Sequence, residues 1–312
     1  MKPAGRVTPR ERRLAHQQDA DLSAVLRIGQ PGAAGIGGLA QARAVRAFRG
    51  GRDPVAETRQ TLAALVPILV WGMIYARLMG IDRARTLAPQ TISAARPKVS
   101  GARAYRRAAG RLIDRLAISP ATLTLLEDQF QAQALRVVKE ASGSVERGLQ
   151  ETVAQMHLDG VHVREGVKRL GEAFDRYGLT PTNSFMLEAI VRTQSALAYS
   201  AGKLDVERSD AIDEILWGYK YVTVGDDRVR DRHIALEGTV LPKTDPFWQT
   251  HYPPNGWACR CQAIPIYDQR AEVRAPEEVE IDDRIIRPGA DPGFGYDAAR
   301  LFGRLPSSLF AA

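Results

Sequence analysis

Trp217-Gly218-Tyr219-Lys220-Tyr221-Val222-Thr223-Val224 is the stretch whose reading decides the fold class. Large side chains at 217, 219, 221 and 223 alternate with their neighbours, the period-two signature of a strand. Gly225-Asp226-Asp227 follows as a turn, and Arg228 to Leu236 fits a short helix stopped by Gly238. Val240 and Leu241 form a short extended piece. Pro242 to Gly256 reads as a long polar and aromatic loop, and Arg260 to Ile266 as a strand returning beside the first. The rest of the chain is patterned for helices, so the expected class is α+β: mostly helical, with a small C-terminal β-containing motif.

Outward from that stretch, Ser119-Pro120 caps a helix carrying Leu123, Leu126, Phe130, Ala134, Leu135 and Val138 at mostly three- and four-residue steps. Ser142-Gly143 is expected to break it. A second helix passes through Val153, Met156 and His157 to Gly160, and a third spans Val163 to Tyr177. Gly178 stops that one, and Thr180-Pro181-Thr182 opens a long central helix whose apolar face holds Phe185, Ala189, Ile190, Thr193, Ala196 and Leu197.

Residues 1–52 read as an arm. Thr8-Pro9-Arg10-Glu11 has the form of a capping box, with Thr as N-cap and Glu at the third helical position. Gly29 to Gly38 is too glycine-rich to hold regular structure unaided. Asp53-Pro54 opens the next helix, which contains the most apolar run, Thr61 to Ala76. That run falls short of the ~20 residues of a membrane span. It is bounded by Arg59 and Arg77 and contains Pro67 and Gly72. A buried or partner-facing helix is therefore expected, and membrane association is not.

Charge is distributed unevenly. Residues 1–120 hold 21 Lys and Arg against 7 Asp and Glu, whereas the remainder holds 22 against 29. Arg83, Arg85, Arg96, Lys98, Arg103, Arg106, Arg107, Arg111 and Arg115 concentrate the excess. Such a region suits phosphate or an acidic protein surface, with no aromatic interleaving beyond Tyr105 for base stacking. An Arg-rich solvated helix face has the same signature. After Pro276 the chain is rich in Pro, Gly and charge. Leu301, Phe302, Leu305, Leu309 and Phe310 there are expected to dock on a neighbour or on the chain's own core. The first thirteen residues are charged and lack the apolar region of a signal peptide.

Four potential metal ligands lie within the β-containing motif: His233, His251, Cys259 and Cys261. The last two are the only cysteines of the chain. Alternate strand residues share a face, so both sulfurs would point to one side, and with the two histidines they would make a tetrahedral Cys₂His₂ set suited to zinc. The same residues would also serve as packed thiols with a locally bonded His233 and a solvated His251. A direct Cys259–Cys261 bridge would be strained. A rival grouping, Asp226, Asp227 and His233, would suit a metal-dependent nuclease or hydrolase. Against it, Asp is common in turns, and Arg228, Arg230 and Arg232 stand ready as ion-pair partners. The chain has no P-loop, dinucleotide-binding glycine fingerprint or G-x-S-x-G elbow, so it reads as a non-enzyme.

Three blocks taken together resemble a known family. These are Gly225-Asp226-Asp227-Arg228-Val229-Arg230-Asp231-Arg232-His233, then Leu236-Glu237-Gly238, then Pro253-Pro254-Asn255-Gly256-Trp257-Ala258-Cys259-Arg260-Cys261. With the upstream Val191-Arg192-Thr193-Gln194, Ala198 and Gly202, they resemble the phage head morphogenesis family, the Mu F-like minor head proteins. The similarity covers roughly residues 150–266. It implies a structural minor capsid protein of a tailed bacteriophage, located in the virion head and, during assembly, in the host cytoplasm. The implied partners are the portal protein and the major capsid protein, with packaged DNA as a further partner for the basic region. The expected organisation, with no family motif in residues 1–120 or after 275, is a basic helical N-terminal region (1–120), a Mu F-like domain (121–270) and a Pro/Gly-rich tail (271–312). Apart from the resemblance, the polar loop is too long to hold itself by regular pairing, so the Arg228 to Cys261 segment is expected to act as a structural clasp stabilised by zinc or by the packing of Trp248 and Trp257.

Overall fold

Thr8 starts the first helix as its sequence specifies: its side chain accepts from the Glu11 N–H and Glu11 accepts from the Thr8 N–H, closing the capping box. In the computed structural model, which describes residues 7–85, 101–159, 162–180, 183–268, 271–296 and 298–305, this helix, α1, runs from Pro9 to Arg49 without interruption. It passes straight through the Gly29–Gly38 stretch and Pro31. The expectation of an irregular arm is therefore corrected. The reason is packing: a Cβ at Gly29 would lie 2.2 Å from the Tyr105 hydroxyl, and that hydroxyl donates to the Val25 carbonyl at 2.8 Å. The glycine admits a neighbouring side chain to the helix backbone, and the contact offsets the entropic penalty that glycine carries in isolation.

Asp53 caps α2 (Pro54–Leu62) by accepting from the Val55 N–H, and a 3-10 turn at Ala63–Leu65 leads into α3 (Val66–Arg85). The stretch Pro54–Arg85 is long and apolar enough by composition to cross a membrane, but here most of it is buried. Nearly every residue of α3 from Ile68 to Asp82 is buried, so it is a core helix apolar on all sides. Next come α4 (Ala102–Arg115), α5 (Pro120–Leu158), α6 (Val163–Arg176) and α7 (Phe185–Glu207). The break expected at Ser142-Gly143 does not occur. Ser142 is buried, and Val145 and Leu149 continue the apolar face of α5 into the core. Gly178 ends the helical turn after α6 at φ +61°, as expected. Gly160, Pro181 and Thr182 lie outside the described residues, as do Arg96 and Lys98.

The central helix is α7, buried on every side from Thr193 to Gly202. Its closest neighbour is α3, and the two cross with backbones in contact. A Cβ at Gly80 would lie 2.1 Å from the Tyr199 carbonyl oxygen, and one at Gly202 2.1 Å from that of Arg77. At this crossing Arg77 forms a bidentate pair with Asp205 at 2.9 and 3.1 Å, both side chains at most 1% exposed. Phe185, expected on the apolar face, is exposed at the helix start.

After the short α8 (Asp210–Asp213), β1 (Gly218–Val222) begins where the pattern changes. The motif continues through α9 (Asp231–Ile234), β2 (Val240–Pro242), α10 (Trp248–His251) and β3 (Gln262–Ile266). The sheet is antiparallel in the order β2-β1-β3, with Tyr219 opposite Leu241 on one side and Pro265 on the other. Both faces of β1 are covered. Tyr219 and Tyr221 join Trp248, Tyr252, Cys259 and Cys261 in one apolar cluster, while Val222 and Val224 pack with Ala15 of α1. A separate hairpin, β4 (Val279–Ile281) and β5 (Arg284–Ile286), precedes α11 (Ala298–Phe302). The tail folds back on the chain's own core: Phe302 meets Phe130 edge-on at 4.9 Å, and Leu305 is buried. Leu309 and Phe310 are outside the described residues. The class is α+β, mostly helical, as the periodicities require.

Part of the positive excess of residues 1–120 is consumed internally. Arg12 pairs with Glu237, Arg59 with Glu146 and Arg77 with Asp205, all acids from beyond residue 120. On α4 the buried face is Ala104, Tyr105, Ala108, Ala109 and Leu112, which leaves Arg103, Arg106, Arg107 and Arg111 exposed on the other.

Candidate metal centre

The candidate site is assembled by the loop that leads into β3. Ala258 adopts φ +53° and donates its N–H to Thr193 Oγ1 of α7 at 2.9 Å. A left-handed residue reverses the chain direction locally. Here it turns Cys259 and Cys261 inward immediately before the strand starts. His233 lies on α9, held by its N–H to the Arg230 carbonyl at 2.9 Å, and its ring enters the same interior. Its Nδ1 is 3.7 Å from Cys259 Sγ and 3.8 Å from Cys261 Sγ. The three donor atoms lie within 4.8 Å of one another, all three residues are buried, and both cysteines are free. The described geometry thus contains no Cys259–Cys261 bridge. Among the described residues this is the only such group of His, Cys, Asp and Glu ligand atoms.

Each sulfur has further polar neighbours. Cys261 and His233 hold the Cys259 thiol well below its ordinary range against the opposing effect of burial, and the Asn255 N–H assists them. The proximity of Cys259 and its own burial push Cys261 well above that range, partly countered by the Tyr221 hydroxyl. Tyr221 also accepts from Asn255 Nδ2 at 3.1 Å. On the far side of the imidazole, His233 Nε2 faces Asp291 Oδ1 at 3.6 Å and has no hydrogen-bond partner. Asp291 is itself fixed by Arg230 at 3.1 Å and by its N–H to the Asn255 carbonyl at 2.8 Å. A Cβ at Gly256 would lie 2.1 Å from Asp291 Oδ2, so a larger residue there would displace that carboxylate.

The structure brings together three of the four residues expected from sequence. His251 is not among them: its ring stacks on Phe247 at 4.6 Å and its Nδ1 shares a hydrogen bond with Thr250 at 2.8 Å. The rival carboxylate grouping is not assembled either. Asp226 is gripped by both Arg260 amino groups at 2.5 and 2.6 Å, which drive its carboxyl far below the usual range despite some opposing desolvation. Asp227 is exposed, and the His233 ring is turned inward to the sulfurs. Of the two tryptophans, Trp248 is core, edge-on to Tyr219 at 5.3 Å. Trp257 is about half exposed and packs on Phe294.

Several contributors were not singled out from the sequence: Tyr221 as a donor to sulfur, Asn255 as the loop's polar centre, and Asp291, which is 58 positions beyond His233. Glu237 is another. It accepts from the Thr223 N–H at 2.9 Å and pairs with Arg12, while Lys220 pairs with Glu11 at 2.9 Å, so the start of α1 is bolted to the sheet. Lys203 of α7 donates to the Ala263 carbonyl at 2.9 Å, and Glu207 accepts from the Tyr252 hydroxyl at 2.9 Å, fixing the sheet's other side.

Comparison with known proteins places this region. A family described as "Phage Mu protein F like protein" matches residues 140–264, from within α5 to the middle of β3. The "Mu-like prophage FluMu F protein" of Haemophilus influenzae is 28% identical over 184 residues, 53% of this chain and 44% of that protein. The "Putative capsid assembly protein F" of Escherichia phage Mu is 42% identical over 76 residues, 24% of this chain and 17% of that protein. The matches therefore span less than half the length of either relative. No solved structure matches the chain.

Proposed function

From the match of residues 140–264 to the Mu F-like family, we propose that the chain is a structural minor capsid protein of a tailed bacteriophage, acting in head morphogenesis. The observation that carries the proposal is the use to which the fold puts the family-like residues. Arg192 pairs with Asp19, Thr193 anchors Ala258, Gln194 accepts from Gln133 at 2.8 Å, and Gly202 seats α7 on α3. Asp226 clamps Arg260, and His233 meets the two cysteines. Each of these contacts ties one segment of the chain to another. Residues that would bear hydrolytic chemistry are engaged in ion pairs or exposed apart from one another, which favours a structural role over a nuclease or hydrolase.

We place the protein in the virion head, at the portal or the inner capsid face. The exposed arginines of α4, Arg103, Arg106, Arg107 and Arg111, support contact with a polyanion there, packaged DNA above all, through phosphate and without base readout. Quantitative mass spectrometry of purified virions tests the assignment. The protein is expected at a small fraction of the major capsid protein's copy number, and a phage deleted for its gene is expected to yield defective heads. A copy number close to that of the major capsid protein, or normal heads from the deletion, refutes it.

A further inference from the structure

We infer that the clasp is a zinc site in which His233 Nδ1, Cys259 Sγ and Cys261 Sγ are three ligands of one ion and Asp291 positions the imidazole from its other nitrogen. Three independent features converge on it. The first is spacing. Zinc bonds of ~2.3 Å to sulfur and ~2.05 Å to nitrogen at a tetrahedral angle put the two ligand atoms about 3.6 Å apart. The observed separations are 3.7 and 3.8 Å. Little side-chain rotation is needed to close on an ion.

The second is the proton inventory. If His233 carries its proton on Nδ1, directed at the sulfurs, then the bare Nε2 faces the Asp291 carboxylate at 3.6 Å, lone pair to oxygen. If the proton sits on Nε2, that nitrogen points a donor at Asp291, and Nδ1 offers a lone pair to the space between the sulfurs. The second tautomer is the one a metal requires, and a carboxylate behind a ligating histidine is the usual way it is fixed. The third is the treatment of the sulfurs. Cys259 receives the Asn255 N–H and Cys261 the Tyr221 hydroxyl, so both are placed as acceptors in an interior where all three residues are at most 3% exposed. A divalent ion with a preference for nitrogen and sulfur would take both as thiolates and supply the charge that two buried anionic sulfurs need.

His251 is outside the ligand set. The fourth position would fall to a water, for which Asn255 Oδ1, buried and without a hydrogen-bond partner, would be an acceptor on the same loop. Burial at this depth makes the site structural. The ion joins α9 to the loop before β3, and through Asp291 it also secures the segment that follows β5.

The test uses the full chain, purified without a metal-chelating tag or chelator. Elemental analysis is expected to give about one zinc per chain. Exchange into Co²⁺ is expected to give a thiolate-to-cobalt charge-transfer band that Cys259→Ser and Cys261→Ser each weaken. Asp291→Asn is expected to keep the stoichiometry but bind 10–100-fold more weakly in competition with a chelating dye, the usual loss when a ligand's outer partner is removed. Should the cysteine variants fail to fold, the wild-type cobalt spectrum and Asp291→Asn decide the matter. Folded wild-type protein with less than about 0.2 zinc per chain and no cobalt band overturns the inference, since a structural site is normally filled. So does full zinc retention by folded variants lacking both cysteines.

Discussion

Replacing Arg77 by Met is the most incisive perturbation of the helical core. Met keeps the apolar stem and removes the guanidinium. That group makes two bonds to Asp205, one to the Gly303 carbonyl at 2.8 Å and one to Gln129 at 3.2 Å, with Phe130 beneath it at 5.9 Å. After the change Asp205 retains the Leu305 N–H at 3.3 Å and the charge of Arg304 nearby. Stranding one member of a buried pair costs about 3–5 kcal/mol. That is a large part of the roughly 5–15 kcal/mol that holds a domain folded. Burial already raises the Asp205 carboxyl above its ordinary value despite Arg77. The stranded carboxylate therefore escapes its penalty by protonation; the unfolded value is common to both proteins, so the deficit of Arg77→Met grows as pH rises above the wild type's raised folded value towards the variant's still higher one. The assay is urea denaturation followed by circular dichroism on Arg77→Met, Asp205→Leu and the double variant at pH 5 and 7.5. At a slope of about 3 kcal/mol/M the single variant loses about 1–1.7 M in midpoint. The double variant should recover most of that, because an apolar replacement of a whole buried pair is often neutral. A single-variant loss under about 1 kcal/mol, or a double variant no more stable than Arg77→Met, refutes the account.

Three further outcomes are expected. Gly202→Ala would drive a Cβ onto the Arg77 carbonyl oxygen; because that neighbour is backbone, a cost of about 3 kcal/mol and a melting point lower by roughly 6 °C are expected, and calorimetry showing an unchanged melting point would contradict the close crossing. Burial alone would raise the Glu11 carboxyl, but the Thr8 N–H and Lys220 outweigh it and leave it lowered; its contribution is therefore present above the unfolded value and lost as pH falls through the folded one. Glu11→Gln should then cost about 1 kcal/mol at pH 7 and progressively less in acid, and a pH-independent deficit in denaturation midpoints would show the carboxylate to be irrelevant. A fragment limited to residues 140–264 lacks α1 and α3 and should give poorly dispersed amide resonances, whereas the full chain should give a dispersed spectrum; a dispersed fragment would show the family-matched region to fold alone.

The elements legible in the sequence were those fixed by local chemistry. Thr8 and Asp53 announce their helices because a cap is a contact between residues two or three apart, and β1 announces itself because pleating imposes a period of two. The path of α1 through Gly29 and Pro31 was not legible, since Tyr105, 76 positions away, supplies the contact that makes glycine useful there. The same holds for Ser142-Gly143, which stays helical because Val145 and Leu149 have core to reach. At the clasp, both cysteines and His233 could be found from residue type and local spacing. Nothing local distinguishes Asp291 from the other acids of the tail, and nothing in His251 reveals that its ring stacks on Phe247.

The crossing of α3 and α7 also bears on how the chain is made. Once Arg85 has emerged from a ribosome, about 120 residues must follow before Glu207 completes the helix that covers α3, roughly 6–24 s at about 5–20 residues per second. Throughout that interval the face of α3 that α7 covers lacks its partner, and the composition of Pro54–Arg85 is that of a membrane-crossing segment. The nascent protein thus presents to the cell's targeting and holding factors a signal that the finished one conceals. The yield of correctly folded chains should depend on which of those factors reaches α3 before α7 does.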